Sequence, residues 1–169
     1  MIQKHHGRVV DTPGDNILAE FNGALNAVNS AIEIQQTLAI ENGRLPSNRR
    51  MNFRIGVNLG DVLHKDERIY GDGVNVAARI ESLAEPGGIS ISRGVFDQVK
   101  KKVRQGFEYM GEHEVKNISE PVRIYRILFQ PEFEGKVIEA SANRKPKLQK
   151  PYVIAITTIL ICSGALLWF

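Results

Sequence analysis

The segment 70–81, YGDGVNVAARIE, puts a side-chain amide and a guanidinium four residues apart, at Asn75 and Arg79. On a helix, residues at that spacing point off one common face. Gly71 and Gly73 give the backbone freedom just before the helix. An amide beside a guanidinium forms a cradle for a sugar and a polyphosphate. Arginine grips phosphate oxygens through two parallel hydrogen bonds and keeps its charge at any working pH. The plainer reading of the same residues is a surface arginine and a helix-start asparagine, and spacing alone favours it.

A second segment, GRVVDTPGDNILAEF at 7–21, offers Asp15 in a tight turn. A hard cation such as Mg²⁺ takes carboxylate oxygens together with substrate phosphates and keeps water elsewhere. Asp15 is half of such a site, although aspartate is also ordinary turn chemistry. A third candidate, Lys116, follows a strand in EVKN. A lone lysine there is otherwise a solvated side chain.

Other chemistries are excluded. The chain has one cysteine, Cys162, so it has no intramolecular disulfide and no cysteine-based metal site. His5, His6, His64 and His113 lack ligand spacing to Cys or Asp. No GxxxxGK[ST] loop is present. The net charge of +3 is too small to imply nucleic acid, and basic residues concentrate at Arg144, Lys145, Lys147 and Lys150. The N-terminus has no apolar stretch after its basic residues, so it does not read as a signal peptide.

The elements that must position these residues follow from pattern. Hydrophobic residues make up 43% of the 169, enough for a packed core. Strands at 8–10 and 17–21 flank the turn Thr12-Pro13-Gly14-Asp15, predicting a hairpin. Leu25, Val28, Ile32 and Leu38 predict a helix over 24–42 with one buried face, ended by Gly43. A strand interrupted at Gly60-Asp61 is expected over 52–63. Helices are expected over 74–84 and 94–103, and strands over 89–92, 107–115 and 122–128. The order ββα, β(β)αβ, αββ predicts an α+β domain: one sheet with helices packed on it.

Residues 130–150 read as a basic linker without sustained periodicity. Residues 151–169, PYVIAITTILICSGALLWF, carry no charge. At about 1.5 Å per residue they span roughly 28 Å, close to a hydrocarbon core of about 30 Å. The expectation is a transmembrane helix with Tyr152 and Trp168 near its ends, and a buried helix is the alternative. The basic cluster before it predicts that the preceding domain faces the cytoplasm.

The stretches GRVVDTPGDNILAEF, FRIGVNLGDV, YGDGVNVAARIESLAEPGGISIS and GEHEVKNISEPVRIYR, in this order and at these separations, resemble the class III adenylate and guanylate cyclase catalytic domain. The resemblance is closest to bacterial members and covers about 1–129. It implies a ferredoxin-like cyclase fold that converts a nucleoside triphosphate to a 3′,5′-cyclic nucleotide and pyrophosphate in intracellular signalling. It implies that Asp15 is a metal-binding aspartate for Mg²⁺ or Mn²⁺. Asn75 and Arg79 match the pair that orients the ribose and stabilises the transition state. Lys116 matches the lysine that contacts the terminal phosphates. It further implies a homodimer, or a heterodimer with another cyclase domain, in which Asp15 of one chain faces Asn75 and Arg79 of the other.

Departures from the pattern carry their own expectations. The family's first strand, with its other metal aspartate, and the following helix would precede Met1. A chain lacking them is expected to be inactive alone, to keep exposed sheet edges, and to come from a longer parent or a misread start. A non-catalytic dimerisation or regulatory module with the same fold is the competing reading. Base recognition falls on Asp11 and on Arg68, or on Asp66 if the alignment slips by two. An acid at Asp11 tilts toward GTP, while the bacterial resemblance keeps ATP ahead.

Overall fold

The computed structural model describes residues 1–12, 14–65, 68–115, 118 and 120–139. After a 3-10 turn at Gln3–His5, the chain forms β1 (Gly7–Asp11) and β2 (Leu18–Phe21), then α1 (Ala24–Gly43). Next come β3 (Ile55–Val57), β4 (Leu63–Lys65), β5 (Arg68–Tyr70) and α2 (Asp72–Ser82). The remainder is β6 (Ile89–Ser92), α3 (Arg93–Val99), β7 (Gly106–His113), β8 (Val122–Leu128) and β9 (Val137–Glu139).

The main sheet runs β3-β6-β8-β7-β9. β3 and β6 are parallel, β8 is antiparallel to both β6 and β7, and β9 lies parallel to β7. Strand alternation divides the core. Tyr125 and Ile127 of β8 pack with α1 and α3. Ile124 and Val122 of the same strand pack with Val76 and Ile80 of α2 on the other face. The sheet is thus covered on both sides, which is why all of β6 is buried. The α+β expectation holds.

Two contacts seat the helices. Gln35 of α1 is only 5% exposed. Its Nε2 donates to Phe53 O at 2.9 Å and to Gly88 O at 3.0 Å, just ahead of β3 and β6. A buried amide satisfied in this way ties a helix to the sheet without an orphaned donor. On the opposite face, a Cβ at Gly56 would stand 2.3 Å from Glu81 N and 2.5 Å from Ala77 O. β3 therefore lies directly against the backbone of α2.

Several boundaries differ from expectation. The strand predicted over 52–63 is only Ile55–Val57, because Asn58 turns the chain by donating to Gly73 O. Leu63 belongs instead to a separate ribbon, β4–β5, too short for its periodicity to be read. Gly43 is the last residue of α1, and the cap residue Arg44 is right-handed, so no left-handed glycine ends this helix. Over 130–139, the described part of the stretch read as a linker, the chain is structured. Phe107 N donates to Lys136 O at 2.8 Å and β9 adds to the sheet edge beside β7. A three-residue edge strand needs no apolar pattern to be held by its backbone.

Residues 140–169, including the apolar run at 151–169, lie outside the described residues. Among those described, no helix is long and apolar enough to cross a membrane. Among the described residues β2 pairs only with β1 and β3 only with β6, and α1 touches both β2 and β3.

Two predictions follow from this packing. Gly56→Ala pushes a methyl into helix backbone that has nowhere to move, and overpacking of this kind costs about 1–3 kcal/mol; urea unfolding is expected to show that loss. The second concerns Glu33, which binds Lys4 Nζ at 2.7 Å and His5 Nε2 at 2.6 Å and so docks the N-terminal turn on α1. The hydrogen bond from Lys4, then that from His5, holds its carboxyl below the ordinary carboxylate range. A lowered folded-state pKa stabilises above the unfolded value and is lost as pH falls through the folded one. Melting temperature should therefore drop in acid below the ordinary carboxylate range, less steeply in Glu33→Gln.

Candidate functional site

α2 is fixed at both ends and along its inner face. Val76 and Ile80 are buried, with Ile80 fully excluded from solvent. At its start, Asn58 Nδ2 donates to Gly73 O at 3.0 Å. At its end, Arg54 Nε donates to Glu81 Oε1 at 3.1 Å. With the inner face buried, Asn75 and Arg79 are left on the exposed side. Among the described residues neither side chain has a hydrogen-bond or ion-pair partner within its own chain.

The glycines before α2 serve close packing. Gly71 has φ 134°, in the region that favours glycine, and a Cβ there would lie 3.0 Å from Asp61 O. A Cβ at Gly60 would lie 3.0 Å from Gly73 Cα. The loop after β3 thus crosses directly over the helix start.

The turn between β1 and β2 carries Asp15, which is exposed. Asp11, at the end of β1, is half-buried, and its Oδ1 accepts from Thr12 N–H at 2.8 Å. Arg68 opens β5, opposite Lys65 in the ribbon register. β1 and β5 touch, so the strands carrying Asp11 and Arg68 are neighbours in one chain. Lys116 and Asp66 lie outside the described residues. Val115, just before Lys116, is buried in the cluster that holds α2, so the chain enters that loop from the α2 face.

Two clefts among the described residues lie elsewhere. A cleft of about 520 Å³ is lined by Asn58, Ser92, Arg93, Glu112 and Arg123 among others. A neighbouring one of about 400 Å³ includes Gly60, Asp61, Asp72 and Val76. Neither contains Asn75, Arg79 or Asp15. These three residues are exposed among the described residues. The Asp61–Asp72 side of the smaller cleft escaped sequence reading. Its signal was the repeated Gly-Asp at 60–61 and 71–72, separated too far in sequence to suggest one rim.

Among the described residues no group of three His, Cys, Asp or Glu side chains is placed to hold a metal ion. A divalent ion that also takes substrate phosphates and water needs fewer protein ligands. An exposed carboxylate at a ribbon tip fits one position of such an ion.

Comparison with known proteins fits this arrangement. A profile of the adenylate and guanylate cyclase catalytic domain matches residues 1–128. A protein of Rhizobium meliloti, "Putative adenylate cyclase 3", is 50% identical over 121 residues. That match covers 72% of this chain but 21% of the relative, so the chain spans about a fifth of it. An adenylate/guanylate cyclase/hydrolase structure from Silicibacter pomeroyi is similar with TM-score 0.72 and 39% identity, covering 75% of each chain. The guanylate cyclase domain of RhGC from Catenaria anguillulae, solved with GTP, is similar at TM-score 0.56 and 26% identity, covering 74% of each.

The anchor at Asn58 can be tested by itself. Asn58→Ala removes the bond to Gly73 O, and a lost bond of this kind costs about 1 kcal/mol. Amide hydrogen exchange over residues 74–77 is expected to quicken while that of α1 stays unchanged.

Proposed function

Because the chain belongs to the adenylate and guanylate cyclase catalytic domain family, we propose that it is the catalytic part of a dimeric nucleotide cyclase acting on ATP ahead of GTP. What supports this is Asn75 and Arg79: four residues apart, exposed, without a side-chain partner among the described residues, and outside the two clefts described above. Groups so presented call for a second surface. In the proposed dimer, homomeric or with another cyclase domain, the ribbon tip of one chain, with Asp15, faces α2 of the other.

The reaction joins the ribose 3′-oxygen to the α-phosphorus and breaks the bond from that phosphorus to pyrophosphate. The 3′-hydroxyl proton leaves to solvent. Asn75 holds the ribose so that the 3′-oxygen lies in line with the breaking bond. Such positioning replaces entropy that an unbound encounter would lose. Arg79 donates to oxygens of the α-phosphoryl group, where charge grows in the transition state, and preorganised charge there is the largest catalytic term. Lys116 contacts the terminal phosphates of the leaving group. Asp11 and Arg68 read the base edge. Asp15 would hold Mg²⁺ or Mn²⁺ together with the phosphates; when bound, such an ion lowers the cost of forming the alkoxide.

Residues 151–169 are proposed to tether the domain to a membrane, on the strength of nineteen residues without a charge. The catalytic part then works in the cytoplasm, where nucleoside triphosphates are. Sedimentation of the protein with membranes after an alkaline wash is expected, and recovery in the soluble fraction would refute the tether. A second reading has one observation behind it. Asp15 is the single acidic candidate for the metal and no three-ligand group accompanies it among the described residues. On that reading the domain binds a complete cyclase and modulates it.

The test is turnover of ATP and GTP with Mg²⁺ or Mn²⁺ by the full-length protein. Cyclic nucleotide from either supports the proposal; a folded dimer that makes none defeats it in favour of the modulating module. In the active enzyme Arg79→Ala should lower kcat by about 10²–10³-fold, or about 3–4 kcal/mol of barrier, with KM changed much less. An unchanged kcat would remove Arg79 from the mechanism.

A further inference from the structure

Two of the three sheets are two-stranded ribbons, β1–β2 and β4–β5. A lone two-stranded hairpin is marginally stable in water, so each ribbon depends on what its side chains touch. Where they meet, three side chains close a ring. Arg8 and Glu20 stand opposite each other in the β1–β2 register, and Arg8 Nε donates to Glu20 Oε1. From the other ribbon, His64 Nδ1 lies 3.3 Å from an Arg8 terminal guanidinium nitrogen. His64 Nε2 lies 3.7 Å from the second Glu20 oxygen. Across the β4–β5 register from His64, Ile69 is buried at 8% exposure and adds an apolar part to the junction.

The ring has a defined chemistry. An imidazole with its proton on Nε2 accepts from Arg8 at Nδ1, while Nε2 faces Glu20 at 3.7 Å as a longer polar contact. Each side chain then has two partners, which fixes orientation better than a single contact does. The three are partly exposed, with side-chain exposures of 50%, 27% and 56% for Arg8, Glu20 and His64. Exposed ionic contacts add little to global stability. Their value here is geometric.

What the junction sets is the distance between two strands with assigned tasks. Arg8 lies on the strand that ends in Asp11, and His64 is next to Lys65, the register partner of Arg68. We propose that Arg8, Glu20 and His64 are positioning residues that fix the spacing of Asp11 and Arg68 and so set the discrimination between adenine and guanine nucleotides. This rests on the base-reading role proposed above for Asp11 and Arg68. Hydrogen bonds to a base edge weaken steeply with distance and angle. A site that reads a polar edge also discriminates more sharply than one that only encloses it. Arg79 is anchored separately, by the contacts of Gly56 and Asn58 with α2. Loosening the junction therefore alters base choice more than the chemical step.

The experiment compares His64→Ala, His64→Gln and Asp11→Ala in the full-length protein. The readouts are kcat and KM for ATP and GTP and, independently of turnover, dissociation constants for the α,β-methylene analogues of both. His64→Ala should change the ATP-to-GTP ratio of kcat/KM by about three- to tenfold, mainly through KM, and shift the analogue affinities alike. Glutamine can accept from Arg8 through its carbonyl and donate to Glu20 through its amide, so His64→Gln should return the ratio to within about twofold of the starting value. If Asp11→Ala moves the ratio and His64→Ala does not, the junction proposal is overturned and base reading stands. If neither moves it, base reading itself fails and the junction proposal with it. An equal loss for both nucleotides, with the ratio constant, would reduce the ring to a stability role and overturn the proposal.

Discussion

The seating of α2 on β3 governs how this surface is presented. At Gly56 the strand meets helix backbone with no side chain between them, and the contact cannot be relaxed by a rotamer change. Strand and helix are held at a fixed distance. The bond from Asn58 to Gly73 O then fixes the rotation at the helix start, and burial of Val76 and Ile80 fixes it along the axis. Once these are set, Asn75 and Arg79 have one direction left to face. Functional side chains on a rigid element keep their geometry better than those on a loop. Here the rigidity comes mainly from packing beneath the helix, with the Arg54–Glu81 ion pair holding its end.

The hairpin that offers Asp15 is built in the opposite way. Among the described residues its two strands pair only with each other. Its ties to the rest are side-chain contacts with α1, the Glu33 cluster beneath its N-terminal end, and the Arg8–Glu20–His64 ring. On the roles proposed, a metal ligand on such a ribbon would adjust to substrate, whereas the guanidinium on α2 would hold its place. The division suits phosphoryl chemistry. Charge stabilisation gains from preorganisation. A divalent ion, carrying several waters and phosphate oxygens, tolerates adjustment of one carboxylate. The open edges of β2 and β3 also lie over the same helix, α1, so the ribbon and the main sheet share a floor without sharing a ladder of hydrogen bonds.

The long periodic elements were legible in the sequence, and the short ones were not. The helical stripe of α2 and the apolar alternation of β7 and β8 come from residues that pack where their spacing implies. β6 was found because four residues between a Gly-Gly turn and a helix leave little choice. By contrast β4, β5 and β9 have three residues each, and no periodicity exists over that length. The role of Gln35 was not legible, because its two carbonyl partners lie 18 and 53 residues away. The glycines of the α2 entry were read as freedom of the backbone. They are in fact required by the loop at 60–61 crossing above, a tertiary contact that no local pattern encodes. Asn75, Arg79 and Asp15 were legible as candidates because exposure and spacing are local properties. Lys116 and the 151–169 run lie beyond what the structure describes.

An exposed site on one chain also bears on how such a domain is controlled. Two unit charges 4 Å apart interact by about 1 kcal/mol in bulk water and by about 4 kcal/mol at an effective dielectric near 20. Arg79 on open surface works near the first limit, which is too little for the barrier lowering asked of it. A second protein surface laid over α2 excludes water and moves the same guanidinium toward the second limit, without any change in the residue itself. In the proposed dimer, association would do more than bring Asp15 across from a partner: it would raise the strength of every charge in the site. In the proposed dimer, whatever holds the two surfaces in register would set the rate by setting how dry the interface is.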